Sequence, residues 1–453
     1  MHHSSASTAY GLAIGALFLS ACAATSEPAT SSTPAGGDTT VFDDSRDAFS
    51  YSARNLGPSE RDTFLAGKSL FQRAWVRAPA STEGGDGLGP TYTATSCGAC
   101  HVRAGRGAVP DGPRDRAMGL VVRLDWKEGS RGTGLLEPAY GAVLQPYAID
   151  GIPNEGNVEI SYSRTTYDFA DGEHVELRRP TATVRELAFG PLRSDTELDL
   201  RVAPQLVGLG LLEAIPELDV RKRADPDDRD GDGIRGRVSE LPGPDKPIGR
   251  FGWRASFATV EDVVAAALLE DIGLTSSHRP SENCPAPQRS CREAQSGGAP
   301  EISDDKLARV AFFARTLAVP ARRRDGDSQT ARGEALFSGI GCASCHVPTG
   351  VTGESSIPAL SRQTIASYTD LLMHRLETGD GSRGESDIRT PPLWGLGLHT
   401  VVNGHAFLLH DGRARSPQEA ILWHGGEGAR SRSAYSALDA ADRASLIRFL
   451  ESL

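Results

Sequence analysis

Two kinds of apolar pattern alternate along this chain. In "TARGEALFSGIGCASCH" (330–346) Leu336 and Phe337 share one apolar face, which predicts a helix from about Thr330 into the cysteines. An upstream segment, "FLAGKSLFQ", repeats that face, with Gly67, Leu70 and Phe71 in the places of Gly333, Leu336 and Phe337. Further on, Ser416-Pro417-Gln418-Glu419 is a capping box with proline in its first turn, so a helix begins there. His424 then lies seven residues after Pro417, two turns on and on the same face. Between these helical stretches, "GLVVRLDW", "VEISYSRTTYDF" and "HVELRRP" are β-branched and aromatic alternations bounded by turn signals, and they predict strands. A second echo pairs "RVAPQLVGLGLL" (201–212) with "RTPPLWGLGLHT" (389–400). Helix, cysteine motif and Gly-Leu-Gly-Leu run recur in the same order, which predicts two related domains in tandem.

The N-terminus has a different character. "YGLAIGALFLSACAA" is too short an apolar run to span a bilayer, and it ends in Leu19-Ser20-Ala21-Cys22, similar to a bacterial lipobox. Its flank lacks Lys and Arg, and a plain secretory signal is the alternative. Residues 1–22 are therefore expected to direct export, with Cys22 as a lipidation site, and residues 23–45 to form a Ser/Thr/Pro/Gly tether. Charge adds one exclusion. The net charge is -11, with Lys and Arg scattered, so no nucleic-acid footprint is expected.

The seven cysteines carry the chemistry. Cys284 and Cys291 flank a Pro-rich loop and read as a structural disulfide in an exported chain. The other four form Cys97-x-x-Cys100-His101 and Cys342-x-x-Cys345-His346. A thioredoxin-like pair needs no following His, and zinc would require both pairs to converge. Covalent haem accounts for the His both times: two thiols add to the porphyrin vinyls and the adjoining imidazole becomes the proximal iron ligand. Two covalently bound haem c groups are the expected cofactors, and the compartment implied by the signal is the periplasm. In "DPDDRDGDGIRGR" (225–237), Asp228, Asp230 and Asp232 alternate as in the start of a calcium loop, but Ser239 stands where a bidentate acid is required. A calcium ion and a solvated acidic turn both remain open there.

"RTPPLWGLG", "HDGRARSPQEAILWHGGE" and the C-terminal "LIRFLESL" resemble the bacterial di-haem oxidoreductase (peroxidase) family, and more distantly di-haem cytochrome c peroxidases and the di-haem methylamine-utilisation enzyme. The resemblance implies a distal ligand for the second haem fourteen positions after His410, which is His424, and a six-coordinate, low-spin, electron-transferring site. It also implies a haem-pocket place for His374 and a hydrogen-bonding role for His410 near the second haem. Trp253 would stand between the haems and Asp271 near the acid that assists O–O cleavage, although the family's Gln position is Val263 here. For the first haem, the family's sixth-ligand position is Ala117, with Met118 beside it as a core residue, so that iron is expected to be open. His399 and His405 read as loop residues.

The expected fold is mainly α: two cytochrome-c-like haem domains (46–300 and 301–453), the first with a β-rich insertion at about 118–200. The expected activity is that of a periplasmic oxidoreductase. It would take electrons from a soluble donor, a cytochrome or cupredoxin, and pass them through the second haem to the first, which would reduce hydrogen peroxide or a similar small oxidant. Membrane attachment would be through the lipid anchor only. A pure electron-transfer cytochrome and a thiol or cofactor-maturation oxidase are the alternatives.

Overall fold

A computed structural model describes residues 1–2, 31–81, 84–112, 115, 119–126, 136–377 and 385–453. The lipobox, Ala117 and Met118 lie outside the described residues. In chain order the elements that build the sites begin with β1 (Ser31–Thr33), α1 (Pro58–Gln72) and α2 (Cys97–Cys100). The insertion follows, with β2 (Leu120–Trp126), β3 (Asn157–Asp168), β4 (His174–Arg185) and β5 (Thr196–Val202). Next come α3 (Val260–Ala267), α4 (Asp304–Arg315), β6 (Arg322–Asp325) and α5 (Ser328–Gly339). The chain closes with β7 (Met373–Glu377), β8 (Glu385–Arg389), α6 (His399–Asn403), α7 (Pro417–Leu422) and α8 (Ala440–Ser452).

The expectation of a mainly α fold of two cytochrome-c-like domains is not met. Helix and strand are mixed throughout, and β3 and β4, at 12 residues each, are as long as α4 and α5. Antiparallel pairs occur outside the insertion as well: β1 with β6, and β7 with β8. With 50 Gly and 28 Pro, most of the chain cannot sustain long helices and runs in loops and two-stranded ribbons.

The repeat seen in the sequence has a geometric basis. Helix α1 crosses α4 so closely at Gly67 that a Cβ there would lie 2.1 Å from the Arg309 carbonyl oxygen and 2.8 Å from Phe313 Cβ. Helix α5 crosses α8 in the same way, with a Cβ at Gly333 falling 2.0 Å from Ser445 O and 2.7 Å from Phe449 Cβ. One turn on, Phe71 meets Phe313 (4.9 Å between centroids) and Phe337 meets Phe449 (5.3 Å). The glycines of the second echo repeat the device: a Cβ at Gly210 would meet Arg315 O at 2.3 Å, and one at Gly397 would meet Glu451 O at 1.9 Å. Each lobe is thus a close-packed helix pair sealed at its C-terminal end by a Gly-Leu-Gly-Leu segment.

This geometry moves two expected boundaries. Helix α4 belongs to the first lobe, so the division expected at 300 falls after Arg315. The tether expected over 23–45 is packed from residue 31 onward, where β1 pairs with β6 and Ala35, Thr39 and Thr40 are buried. The lobes also interlock, since Gly208 lies against the Trp394 ring and Gly395 against Phe49.

The strands expected in the insertion are present. β2 pairs with β5, and β3 with β4 in an unbroken register from Asn157↔Arg185 to Asp168↔His174. The β3–β4 hairpin is an arm that crosses to the second lobe. There Tyr167 donates to Ser436 Oγ (2.7 Å), and buried Arg443 donates to Asp171 (2.7 Å) and Glu173 (2.6 Å). Cys284 and Cys291 form a disulfide with Cα atoms 5.6 Å apart. Among the described residues no helix is long and apolar enough to cross a membrane.

Candidate functional site: two cysteine-histidine motifs and the segment between them

Each C-x-x-C-H motif sits on a single helical turn. Ser96 caps the first, its Oγ accepting from Ala99 N (3.2 Å), and the His101 amide closes the turn on Cys97 O (2.9 Å). In the second, Gly341 adopts φ 89° to turn the chain, and the His346 amide closes on Cys342 O (3.0 Å). The two imidazoles are oriented alike: Nδ1 of His101 lies 2.8 Å from Pro204 O and Nδ1 of His346 lies 3.0 Å from Tyr368 O. A carbonyl partner makes Nδ1 the protonated nitrogen and leaves the Nε2 lone pair for a metal. Burial pushes both rings down to about 4, so they are neutral, as ligation requires.

The four motif thiols are free. Burial pushes Cys97, Cys100 and Cys342 up to about 12, with Asp271 adding to the shift of the first two. Burial thus disfavours the thiolate form, the reverse of the lowered thiol pKa on which a redox dithiol depends.

His424 is brought near the second motif. Ser416 Oγ caps α7 by accepting from Glu419 N (3.2 Å), but the helix ends at Leu422, short of the two full turns expected. His424 lies on the turn that follows, with its amide on Ile421 O (3.0 Å) and Nδ1 2.6 Å from Ala420 O. It therefore shares the Nδ1-to-carbonyl arrangement of His101 and His346, and it is near enough to His346 to lower that ring's pKa electrostatically.

His374 is buried 3.7 Å from Cys345 Sγ, yet both its nitrogens are taken. Nε2 bonds Asp370 (2.7 Å) and Nδ1 bonds Glu427 (2.9 Å). Burial opposes its charge, but these bonds and the Cys345 contact prevail and push it up to about 12. It is a charged node beside the pocket with no nitrogen left for a metal.

Asp271 is the penultimate residue of a π-helical turn (Leu268–Ile272), a local irregularity that often marks functional positions. Its backbone carbonyl accepts from Thr93 N (2.8 Å) and Ala94 N (3.0 Å), just before the first motif. Burial, then Glu270, pushes its carboxyl up to about 7, against the pull of Arg123. A cavity of about 250 Å³ opens beside His101, with Ser50, Lys68, Gln72 and Arg103 in its wall. Trp253 donates from Nε1 to Val202 O (2.9 Å), lies under the Arg106 guanidinium (5.2 Å) and meets His410 edge-on (6.4 Å). Its own carbonyl accepts from Arg389 N (2.9 Å). Trp253 thus contacts Arg106, five residues past His101, and the "RTPP" segment of the second lobe. Burial pushes His410 down to about 3, and its ring lies against Trp253.

A family model described as "Di-haem oxidoreductase, putative peroxidase" matches residues 29–128 and 147–453. The chain belongs to the di-haem oxidoreductase family. No curated protein and no solved structure matches it. The family match spans both cysteine motifs, His424, Trp253 and Asp271, and it breaks only between β2 and β3 of the insertion.

Two haems fit the residues this di-haem oxidoreductase offers. Besides the motifs themselves, two buried arginines, which carry no local signature in the sequence, would supply counter-charge to porphyrin carboxylates. Arg106 is 6% exposed and Arg389 8%, and burial pushes both down to about 10. Arg106 bonds Leu409 O while its Nε has no partner, and Arg389 bonds Gly252 O (3.2 Å) and Thr390 O (3.0 Å). Buried guanidiniums held only by carbonyls have capacity for an anion. Arg389 opens the second echo, as Arg201 opens the first, and that shared position was the available signal. Arg201, however, is already paired with Asp199.

The remaining expectations divide. The carboxylates of Asp228, Asp230 and Asp232 converge, with one oxygen from each within 4.8 Å of the others. Ser239 stays apart and donates to Ala255 O (2.8 Å). His399, expected in a loop, opens α6, is 1% exposed, and packs edge-on against Phe49 (5.6 Å) with Nδ1 unpartnered. His405 stacks on Phe407 (4.6 Å).

Proposed function

We propose that this di-haem oxidoreductase is an exported c-type peroxidase: it takes electrons from a soluble cytochrome or cupredoxin and reduces hydrogen peroxide or a similarly small oxidant. Cys97 and Cys100 would attach the first haem and Cys342 and Cys345 the second, with His101 and His346 as proximal ligands. Haem supplies one-electron redox chemistry and, where its iron is open, a place for the oxidant.

The observation that carries this reading is the asymmetry between the two sites. His346 has a second imidazole, His424, close enough to act on it electrostatically, and the Nδ1 of His424 is already committed to a carbonyl. Near Cys97 and Cys100 lies instead a buried carboxyl, Asp271, close enough to act on both thiols electrostatically. A capped site suits electron entry. A site with a protonatable acid nearby suits proton-coupled reduction, because peroxide needs two protons and two electrons to become two waters. Asp271, held near neutrality, can keep a proton at its carboxyl and release it. Trp253, in contact with residues of both lobes, supports a short electron path between them.

Spectroscopy of purified holo-protein, with His424→Ala beside it, tests this. Wild type is expected to show one low-spin and one high-spin haem, and His424→Ala to lose the low-spin signal. Turnover of peroxide with a reduced cytochrome should accompany it. Low-spin signals alone in every redox state, with no peroxide turnover, would instead mark an electron-transfer protein. Mass spectrometry of the mature chain should find haem on both cysteine pairs and the N-terminus processed at or near Cys22.

A further inference from the structure

One carboxylate joins three chain segments beside the second site. Glu427 is three residues past His424, and its side chain is 9% exposed. Oε2 accepts from His374 Nδ1 (2.9 Å) and from the Arg235 amide (2.8 Å). Oε1 accepts from the Arg375 amide (2.8 Å) and more loosely from the Arg237 guanidinium (3.4 Å). Such a set of donors holds a carboxylate ionised and fixed, and Glu427 is pulled down to about 2 against burial.

The path continues to the proximal side. His374 Nε2 bonds Asp370 Oδ2 (2.7 Å), and the Asp370 amide donates to Cys345 O (3.1 Å). Two residues earlier, Tyr368 O holds His346 Nδ1. On the distal side the turn carrying Glu427 folds back on His424, and a Cβ at Gly428 would lie 3.0 Å from His424 Cβ and 3.4 Å from its Cδ2. The turn therefore packs next to the ring, with no room for a side chain between them.

We propose that Glu427, linked through His374 to Asp370, is the positioning residue that clamps His424 opposite His346 and keeps the second haem closed to other ligands. The inference rests on the proposed ligation by His424. The geometry gives it a mechanical reason. Helix α7 stops at Leu422, so His424 lies beyond the last helical turn, held there by its bonds to Ala420 O and Ile421 O and by the turn that follows. The Asp370–His374–Glu427 strap ties the distal turn to the loop that orients the proximal imidazole. Groups that hydrogen-bond a metal ligand directly typically alter metal affinity or activity by about 10–100-fold when removed, and Glu427, acting on His424 through the turn, is expected at the lower end of that range.

Holo-protein Glu427→Gln is compared with wild type and His424→Ala by EPR, imidazole titration and potentiometry of the second haem. Gln preserves the size of the side chain but removes the charge that holds His374. The expected result is a second haem that becomes partly high-spin, binds added imidazole about tenfold more readily than wild type, returns to low-spin when it does, and has a raised reduction potential. Should Glu427→Gln not fold, Asp370→Asn, which leaves the Glu427 turn intact, must open the site in the same direction to a lesser degree. Wild-type spectra, imidazole binding and potential in whichever variant folds, while His424→Ala loses its low-spin signal, would overturn the proposal and leave His424 as a ligand. An unchanged low-spin signal in His424→Ala would overturn both.

Discussion

Replacing Gly333 with alanine tests the close helix crossing on which each lobe depends. In an isolated helix the change would stabilise by about 1 kcal/mol, because alanine loses less backbone freedom. Here the new methyl would lie 2.0 Å from Ser445 O and 2.7 Å from Phe449 Cβ, where real Cβ contacts do not come under 3.0 Å. The obstacle at 2.0 Å is backbone, so no rotamer change relieves it, and α5 and α8 must part by about 1 Å. Overpacking of this kind costs about 1–3 kcal/mol, and loosening the Phe337–Phe449 pair adds about 0.5–1.5 kcal/mol. A net loss of about 0.5–3.5 kcal/mol follows once the propensity gain is subtracted. Thermal unfolding followed by circular dichroism, with the Soret band of the second haem as a local probe, should show the transition several degrees lower. Gly339→Ala is the internal control: it ends the same helix, nothing lies within 4 Å of its added methyl, and it should be neutral or slightly stabilising. Gly67→Ala should repeat the loss in the first lobe. If Gly333→Ala melted with or above Gly339→Ala, the crossing distance, and the structural repeat built on it, would be wrong.

Three further outcomes follow from other parts of the molecule. Trp253→Phe removes the indole N–H bonded to Val202 O, and it should slow electron passage between the haems in stopped-flow reduction without altering either haem's spectrum. Glu155, fully buried between Gln145 N (2.7 Å) and Gln288 Nε2 (2.6 Å), is pushed up to about 8 by burial. A carboxyl raised from 4.5 contributes stability that is complete at low pH and lost as pH climbs through that interval. Chemical denaturation at about pH 5 and about pH 8 should therefore give a falling stability that Glu155→Gln flattens. Arg443→Ala strips the arm of its anchor, a buried guanidinium 4.1 Å from the Phe169 ring that pairs with two half-exposed carboxylates. The loss should be about 1–2 kcal/mol, with faster proteolytic cutting at the hairpin tip as the direct readout.

The site was legible in the sequence where chemistry is local. Cys97, Cys100 and His101 fall on one turn whatever surrounds them, and so do Cys342, Cys345 and His346. The strands of the insertion were legible too, because alternation over 12 residues survives any packing. His424 is an intermediate case: its position could be counted from His410, but the early end of α7 and the role of the turn at Glu427 could not. Arg106, Arg389 and Glu427 carried no local signature, since an isolated charged residue looks like solvated surface until its burial is known. The mainly helical expectation failed for a related reason. Two strong helical echoes were extended over a chain whose glycines and prolines divide it into short ribbons.

What the sequence determined by itself is a pair of metal-ready turns, each preceded by a helix with glycine and phenylalanine four residues apart, because those features depend on neighbours only a few positions away. Tertiary structure alone decided that Phe313 and Phe449 complete those helices from a distance. It also brought Asp271 to one motif and His424 to the other, making two similar turns into different sites. That difference arises from electrostatic neighbours more than 70 residues apart in the chain, Asp271 acting on Cys97 and His424 on His346, which no local pattern encodes.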